Sequence, residues 1–163
     1  MMSVPTSNPL FDDQYCFVVE GKVALPYQYF AGATGSRFII GLRDEKKIYA
    51  VRSRKGKTFV PPRKLDERTF EMLGEEWFPL SGEGTVENFT VVRYREPYQP
   101  MEPPYILAVI RLDGADTPLV HIVHGVAPEA MKNGLRVKAV FADEPVSNIL
   151  ALRYFVPLET ATS

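Results

Sequence analysis

The feature that most restricts the fold lies beyond Glu75, where apolar residues recur at every second position in five separate runs. A period of two places alternate side chains on opposite faces of a strand, so each run reads as a half-buried β-strand. In TVENFTVVRY, Phe89 and Val91 share one face against Asn88 and Thr90, and in YILAVIRLDG the residues Ile106, Ala108, Ile110 and Leu112 fall together. Asp113-Gly114 marks a turn into TPLVHIVHGV. LRVKAVF aligns Leu135, Val137, Ala139 and Phe141, and NILALRYFV aligns Leu150, Leu152, Tyr154 and Val156. Between the third and fourth runs, APEAMKNG has Pro128 near its start and Gly134 after it, which predicts one helical turn. The first strand is expected to be long and bent near Gly82 or Gly84. The fold class is therefore mainly β, with a five-stranded OB-fold barrel over residues 75–157. Periodicity alone does not separate it from other small barrels or sandwiches.

Ahead of the barrel the pattern differs. Residues 1–25 are mixed and Pro-containing and read as an arm, and residues 158–163 as a tail. Residues 26–47 read as one or two short helices: Phe38, Ile39 and Leu42 fall at helical spacing, Thr34 or Ser36 can cap, and the charged run from Arg43 to Lys47 ends the segment. In residues 48–74 two short β-type runs, IYAV and KTFV, flank a turn at Lys55-Gly56. A rigid Pro61-Pro62-Arg63 step then leads to a short helix expected between Asp66 and Met72, capped by Asp66 and stopped by Gly74. This is the layout of a zinc knuckle, without a cysteine.

At 163 residues the chain is one domain plus a small appendage, and 45% hydrophobic with 24% charged residues is an ordinary soluble composition. No apolar run is long enough to span a bilayer, the N-terminus lacks a secretory signal, and the lone Cys16 allows no disulfide framework. A cytoplasmic protein without a membrane partner is expected. The net charge of -1 conceals an asymmetry: residues 46–68 hold nine basic and two acidic side chains, +7, which leaves -8 for the rest. Such a block is either a solvated hairpin or a footprint for phosphate, nucleic acid or an acidic partner.

Catalytic signatures are scarce. There is no nucleophile elbow, Walker loop or His-Glu-x-x-His helix, and the only histidines, His121 and His124, sit three apart on a strand and point to opposite faces. They read as structural or surface residues rather than metal ligands, and Cys16 as a plain thiol. The glycine clusters GATG (residues 32–35) and SGEG (residues 81–84) lack the spacing of a phosphate loop; the first is expected to break helices and the second to bend the long strand. Tyr27, Tyr29, Phe30, Tyr94, Tyr98 and Tyr105 gather at loop boundaries, where rings either pack under loops or stack on an adenine.

The order YFAG, SRFIIGLRDEKKI, VPPR, GTVENFTVV, PPYILAVIRLDGADTPLVHIV and GLRVKAVF, covering about Leu25 to Pro157, resembles the acyl-CoA-associated zinc-ribbon and OB-fold family. The resemblance implies a non-catalytic partner of a thiolase-like or related condensing enzyme, sometimes with a second family member, in lipid or aromatic acyl metabolism. It implies CoA or acyl-CoA as ligand. Lys57, Arg63, Lys64, Arg52 and Lys55 are then the candidates for CoA phosphates or an acidic partner rim, and Tyr29, Tyr94, Tyr98 and Tyr105 for adenine, pantetheine or loop packing.

The family's usual knuckle carries two Cys-x-x-Cys pairs around Pro-Pro-Arg. Anchored on Pro61-Pro62-Arg63, the four ligand positions fall on Arg52, Lys55, Asp66 and Thr69. Two cations, a carboxylate and a hydroxyl do not make a tetrahedral zinc site, so no zinc is expected. An ion pair from Arg52 or Lys55 to Asp66 would replace it, contributing about 0–1 kcal/mol against roughly 10–16 kcal/mol for structural zinc in isolated fingers. The alternative function is single-stranded nucleic-acid binding, common among basic OB-folds. Against it stand the acidic remainder of the chain and the few aromatics interleaved with Lys or Arg on the barrel strands.

Overall fold

The computed structural model describes residues 27–74 and 76–158. The chain forms two compact units, Met1–Phe30 and Ala31–Ser163. In the first only Tyr27 to Phe30 are described, the Tyr27 and Tyr29 rings lying 6.1 Å apart. The expected arm over residues 1–25, with Cys16, and the tail beyond Leu158 lie outside the described residues.

The second unit opens with helix α1 (Gly32–Ile40), which widens into a π turn over Gly41–Glu45. Phe38 and Leu42 are buried, as their spacing requires. The capping expectation is corrected: Ala31 is the N-cap, no side chain caps the helix, and Thr34 and Ser36 lie inside it. GATG therefore starts the helix instead of breaking one, with Gly32 supplying the positive φ of 75° at its entry.

Strands β1 (Ile48–Arg52), β2 (Thr58–Phe59) and β3 (Glu76–Leu80) form a small sheet in the order β2-β1-β3. The barrel follows, from β4 (Glu83–Val92), β5 (Tyr105–Leu112), β6 (Leu119–Val123), β7 (Arg136–Phe141) and β8 (Leu152–Pro157), closed in the order β4-β5-β6-β8-β7. Five strands closed in this way make the expected OB-fold barrel. The expected long first strand is two strands. Gly82, at φ 82°, turns the chain between them, and β3 pairs with β1 along its whole length, Ile48 opposite Leu80 and Arg52 opposite Glu76.

The barrel interior holds Val86, Ile106, Ala108, Ile110, Leu112, Leu119, Val123, Val137, Leu152 and Phe155, all essentially buried. Ile106, Ala108, Ile110 and Leu112 thus share the inner face as alternation demands. On β8 the alternation breaks. Val140 faces Tyr154 and Phe141 faces Leu152, so Arg153 is an extra, unpaired residue, and the inward phase jumps from Leu152 to Phe155. Leu150 lies before the strand, in a 3-10 turn (Ile149–Ala151), and packs with Tyr154 against a separate cluster of Val92, Tyr105 and Ile122. A second bulge at Glu87 shifts β4 in the same way, from Val86 to Phe89 and Val91. Gly84 sits where a Cβ would lie 2.5 Å from the Arg111 carbonyl oxygen, so glycine is what lets β4 approach β5 there.

Two expected helices are absent from the described residues. APEAMKNG forms successive turns, with Ala130 N–H donating to the Ala127 carbonyl at 2.9 Å. The Asp66 to Met72 stretch is the end of a narrow hairpin: the Leu73 amide donates to the Lys64 carbonyl, the Asp66 amide to the Glu71 carbonyl, and Leu65 pairs with Met72. Asp66 does cap, but it caps a turn.

Candidate functional site

The basic segment folds into the knuckle, whose two arms are clipped by carboxylates and hydroxyls. In the first arm, the Ser53 amide donates to the Lys57 carbonyl at 2.8 Å and the Gly56 amide to the Ser53 carbonyl at 2.9 Å, while Ser53 Oγ accepts the Lys57 amide. Gly56, at φ 85°, makes this turn as its position in the sequence requires. The second arm is the hairpin of residues 64–73. Glu71 joins the arms, its Oε1 accepting the Arg54 amide at 2.7 Å.

The knuckle is also tied to the barrel. Asp116, in the β5–β6 turn, accepts the Thr58 amide at 2.7 Å and donates its own amide to the Thr58 carbonyl at 2.9 Å. Next to it, buried Thr117 Oγ1 accepts the Val60 amide at 2.8 Å and donates to the Val60 carbonyl at 2.9 Å. Three apolar side chains, Val51, Phe59 and Leu73, fill the knuckle interior with Trp77 against them.

The former ligand positions do not converge on a metal-sized centre of donors. Asp66 is buried, and chiefly the Arg68 amide at 2.9 Å, with the Thr69 hydroxyl and the Lys57 charge, holds its carboxyl below the usual range against the effect of burial. Among the described residues no three His, Cys, Asp or Glu side chains gather as a metal site. The donor set does not fit zinc.

The expected ion pair to Asp66 is corrected. Arg52 pairs with Glu76 at 3.1 Å and lies over the Phe78 ring at 4.3 Å, because cross-strand register puts Glu76 opposite it. Asp66 finds its own backbone two residues on, a shorter loop to close. Lys55, at the exposed turn, pairs with no carboxylate among the described residues.

Of the five candidate cations, two approach the same aromatic ring. Lys57 and Arg63 lie over the buried Phe59 ring at 4.6 and 5.5 Å, and Arg63 also pairs with Glu67 at 2.8 Å. Arg52 is occupied on β3, and Lys64 is exposed on the hairpin. The candidate tyrosines separate. Tyr105 is buried in the cluster beneath the loop of residues 93–104, Tyr94 and Tyr98 are exposed on that loop, and Tyr29 belongs to the other unit. That loop borders a half-open hollow of about 270 Å³ lined by Arg95, Met101 and Glu102 among others.

The histidines divide between the two faces as expected. His124 stacks on Tyr154 at 4.8 Å. His121 is buried against Phe155, its Nδ1 accepting the Ile122 amide, and burial pushes its pKa down, partly countered by the backbone of Ile149 and Leu152. Sequence reasoning missed Leu65, Phe70, Glu71 and Met72, whose signal was the apolar alternation of Phe70 and Met72, read as helix.

Residues 77–142 match the family model of the ChsH2 C-terminal OB-fold domain. The fold resembles the chain described as "Ltp2-ChsH2(DUF35) aldolase", with a TM-score of 0.59 and 17% identity, over 77% of this chain and 95% of that one. It also resembles a DUF35-family protein of unknown function from Sulfolobus solfataricus, with a TM-score of 0.54 and 25% identity, over 67% of this chain and 78% of that one. Among curated proteins none matches the sequence. Together these findings bear out the resemblance to the acyl-CoA-associated OB-fold family.

Proposed function

We propose that this chain is the non-catalytic accessory subunit of a thiolase-type complex that cleaves or condenses acyl-CoA, holding the partner enzyme and contributing to the CoA site. What supports this is the match of the barrel to the OB-fold domain of ChsH2, together with the likeness of this fold to the chain described as "Ltp2-ChsH2(DUF35) aldolase". Lys57 and Arg63, which both approach the Phe59 ring, are the pair we assign to a diphosphate, and the exposed Lys55 and Lys64 add to the positive field of the knuckle. No zinc takes part.

Co-expression with the thiolase-type enzyme of the same organism tests the reading. A stable complex is expected, with thiolysis, condensation or aldol cleavage appearing only when both chains are present. Lack of association, or thioester hydrolysis by this chain alone, refutes it. Submicromolar binding of a single-stranded oligonucleotide that falls steeply with salt would reassign the barrel to nucleic acid.

A further inference from the structure

We infer that the end of the knuckle hairpin, where Leu65, Phe70 and Met72 are exposed on the same short segment as the cations Lys64 and Arg68, is the docking surface for the partner enzyme, whose matching face is an apolar hollow with an acidic rim. The inference rests on the accessory-subunit reading above and adds the surface and the chemistry that the surface selects.

Three large apolar side chains on one ten-residue hairpin are left in solvent: Leu65 is 38% exposed, Phe70 77% and Met72 58%. Leu65 and Met72 face each other across the antiparallel bridge, so their side chains lie next to each other on one face, while Asp66 and Leu73 are buried. Isolated exposed apolar residues are ordinary; a paired group at a hairpin end suits a contact surface.

Phe70 makes the stronger case. Its φ is 56°, the left-handed region that favours glycine and disfavours an aromatic side chain. The turn itself is closed by backbone, Phe70 N–H donating to the Asp66 carbonyl at 2.8 Å, and would be easier to form with glycine. The ring packs into no interior. Folding gains little from it, and an anchor entering a partner's hollow is what such a ring can do.

Charge and shape choose the partner. Lys64 and Arg68 are exposed and pair with no carboxylate among the described residues, so an acidic rim completes them. A second copy of this chain would bring the same cations face to face across a two-fold contact, which like charges oppose. An aliphatic side chain and a thioether beside the ring suit packing against apolar side chains, whereas a nucleic-acid platform presents successive flat rings.

The test measures affinity between the full-length chain and the thiolase-type enzyme of the same organism, for wild type, Phe70→Gly, the Leu65→Ser/Met72→Thr double variant and the Lys64→Gln/Arg68→Gln double variant. Phe70→Gly is expected to melt at or above the wild-type temperature while binding at least ~10-fold more weakly. The apolar double variant should weaken binding similarly, and the cation double variant should flatten its salt dependence. Wild-type affinity in both apolar variants overturns this surface and leaves the accessory role standing. Absence of any complex with the wild-type chain removes the accessory role and the surface with it. An oligonucleotide or self-association equilibrium that depends on Phe70, with partner binding unchanged, also overturns the assignment.

Discussion

Replacing Thr117 by valine removes one oxygen and tests how the knuckle is held to the barrel. Thr117 Oγ1 both accepts the Val60 amide and donates to the Val60 carbonyl, and Val60 is fully buried. Valine has nearly the same shape but strands both backbone groups away from water. Each unsatisfied buried group costs about 1–3 kcal/mol, and the added methyl returns ~0.8 kcal/mol, so a net loss of roughly 1–5 kcal/mol is expected. At about 2–4 °C per kcal/mol for a chain of this size, that is a fall of about 2–20 °C in melting temperature. Thr117→Ser keeps the hydroxyl and should stay within about 1 kcal/mol of wild type. Urea unfolding gives the free energy, and hydrogen exchange at the Val60 amide reports the local bond. Loss of protection at Val60 ahead of the barrel amides would show the knuckle opening as a separate unit. Wild-type stability in Thr117→Val, with Val60 still protected, would refute the reasoning.

Three further outcomes follow from the geometry. Gly84→Ala should destabilise by about 1–3 kcal/mol or more in thermal unfolding, because its Cβ meets the Arg111 backbone, which cannot move without opening the β4–β5 ladder. His121 is held neutral by burial, so its folded pKa lies below the unfolded value of about 6.5; the unfolded chain then takes up the proton first, and stability falls as pH drops below about 6.5 until the folded pKa is reached. Melting curves from pH 8 to 5 should show that fall, and His121→Leu should lessen it. Elemental analysis of the native protein should find no zinc, and a chelator should leave the melting temperature unchanged; one tightly bound zinc per chain would overturn the reading of the knuckle.

The barrel was largely legible because alternation is a property of the chain itself. Ile106, Ala108, Ile110 and Leu112 had to share a face whatever they paired with, and Asp113-Gly114 turns where its residue types require. On β8 the reading slipped because a bulge cannot be seen from one strand. Whether Arg153 pairs or is skipped depends on β7 opposite it.

The candidate site divides the same way. Sequence alone determined where the cations lie and that Gly56 turns the first arm; the four positions that the resemblance assigns to zinc ligands, Arg52, Lys55, Asp66 and Thr69, carry neither cysteine nor histidine. Which side chains meet was decided only in three dimensions. Arg52 chose Glu76 because β3 docks on β1, Lys57 and Arg63 both approach the Phe59 ring, and residues 64–73 became a hairpin where a helix was expected. The reason is that a segment of ten residues has too few local hydrogen bonds to choose its own form. Its form is set by contacts formed only on folding: its own backbone closes the hairpin, Leu73 on Lys64, the Glu71 side chain takes the Arg54 amide of the neighbouring arm, and Phe70 is left facing water.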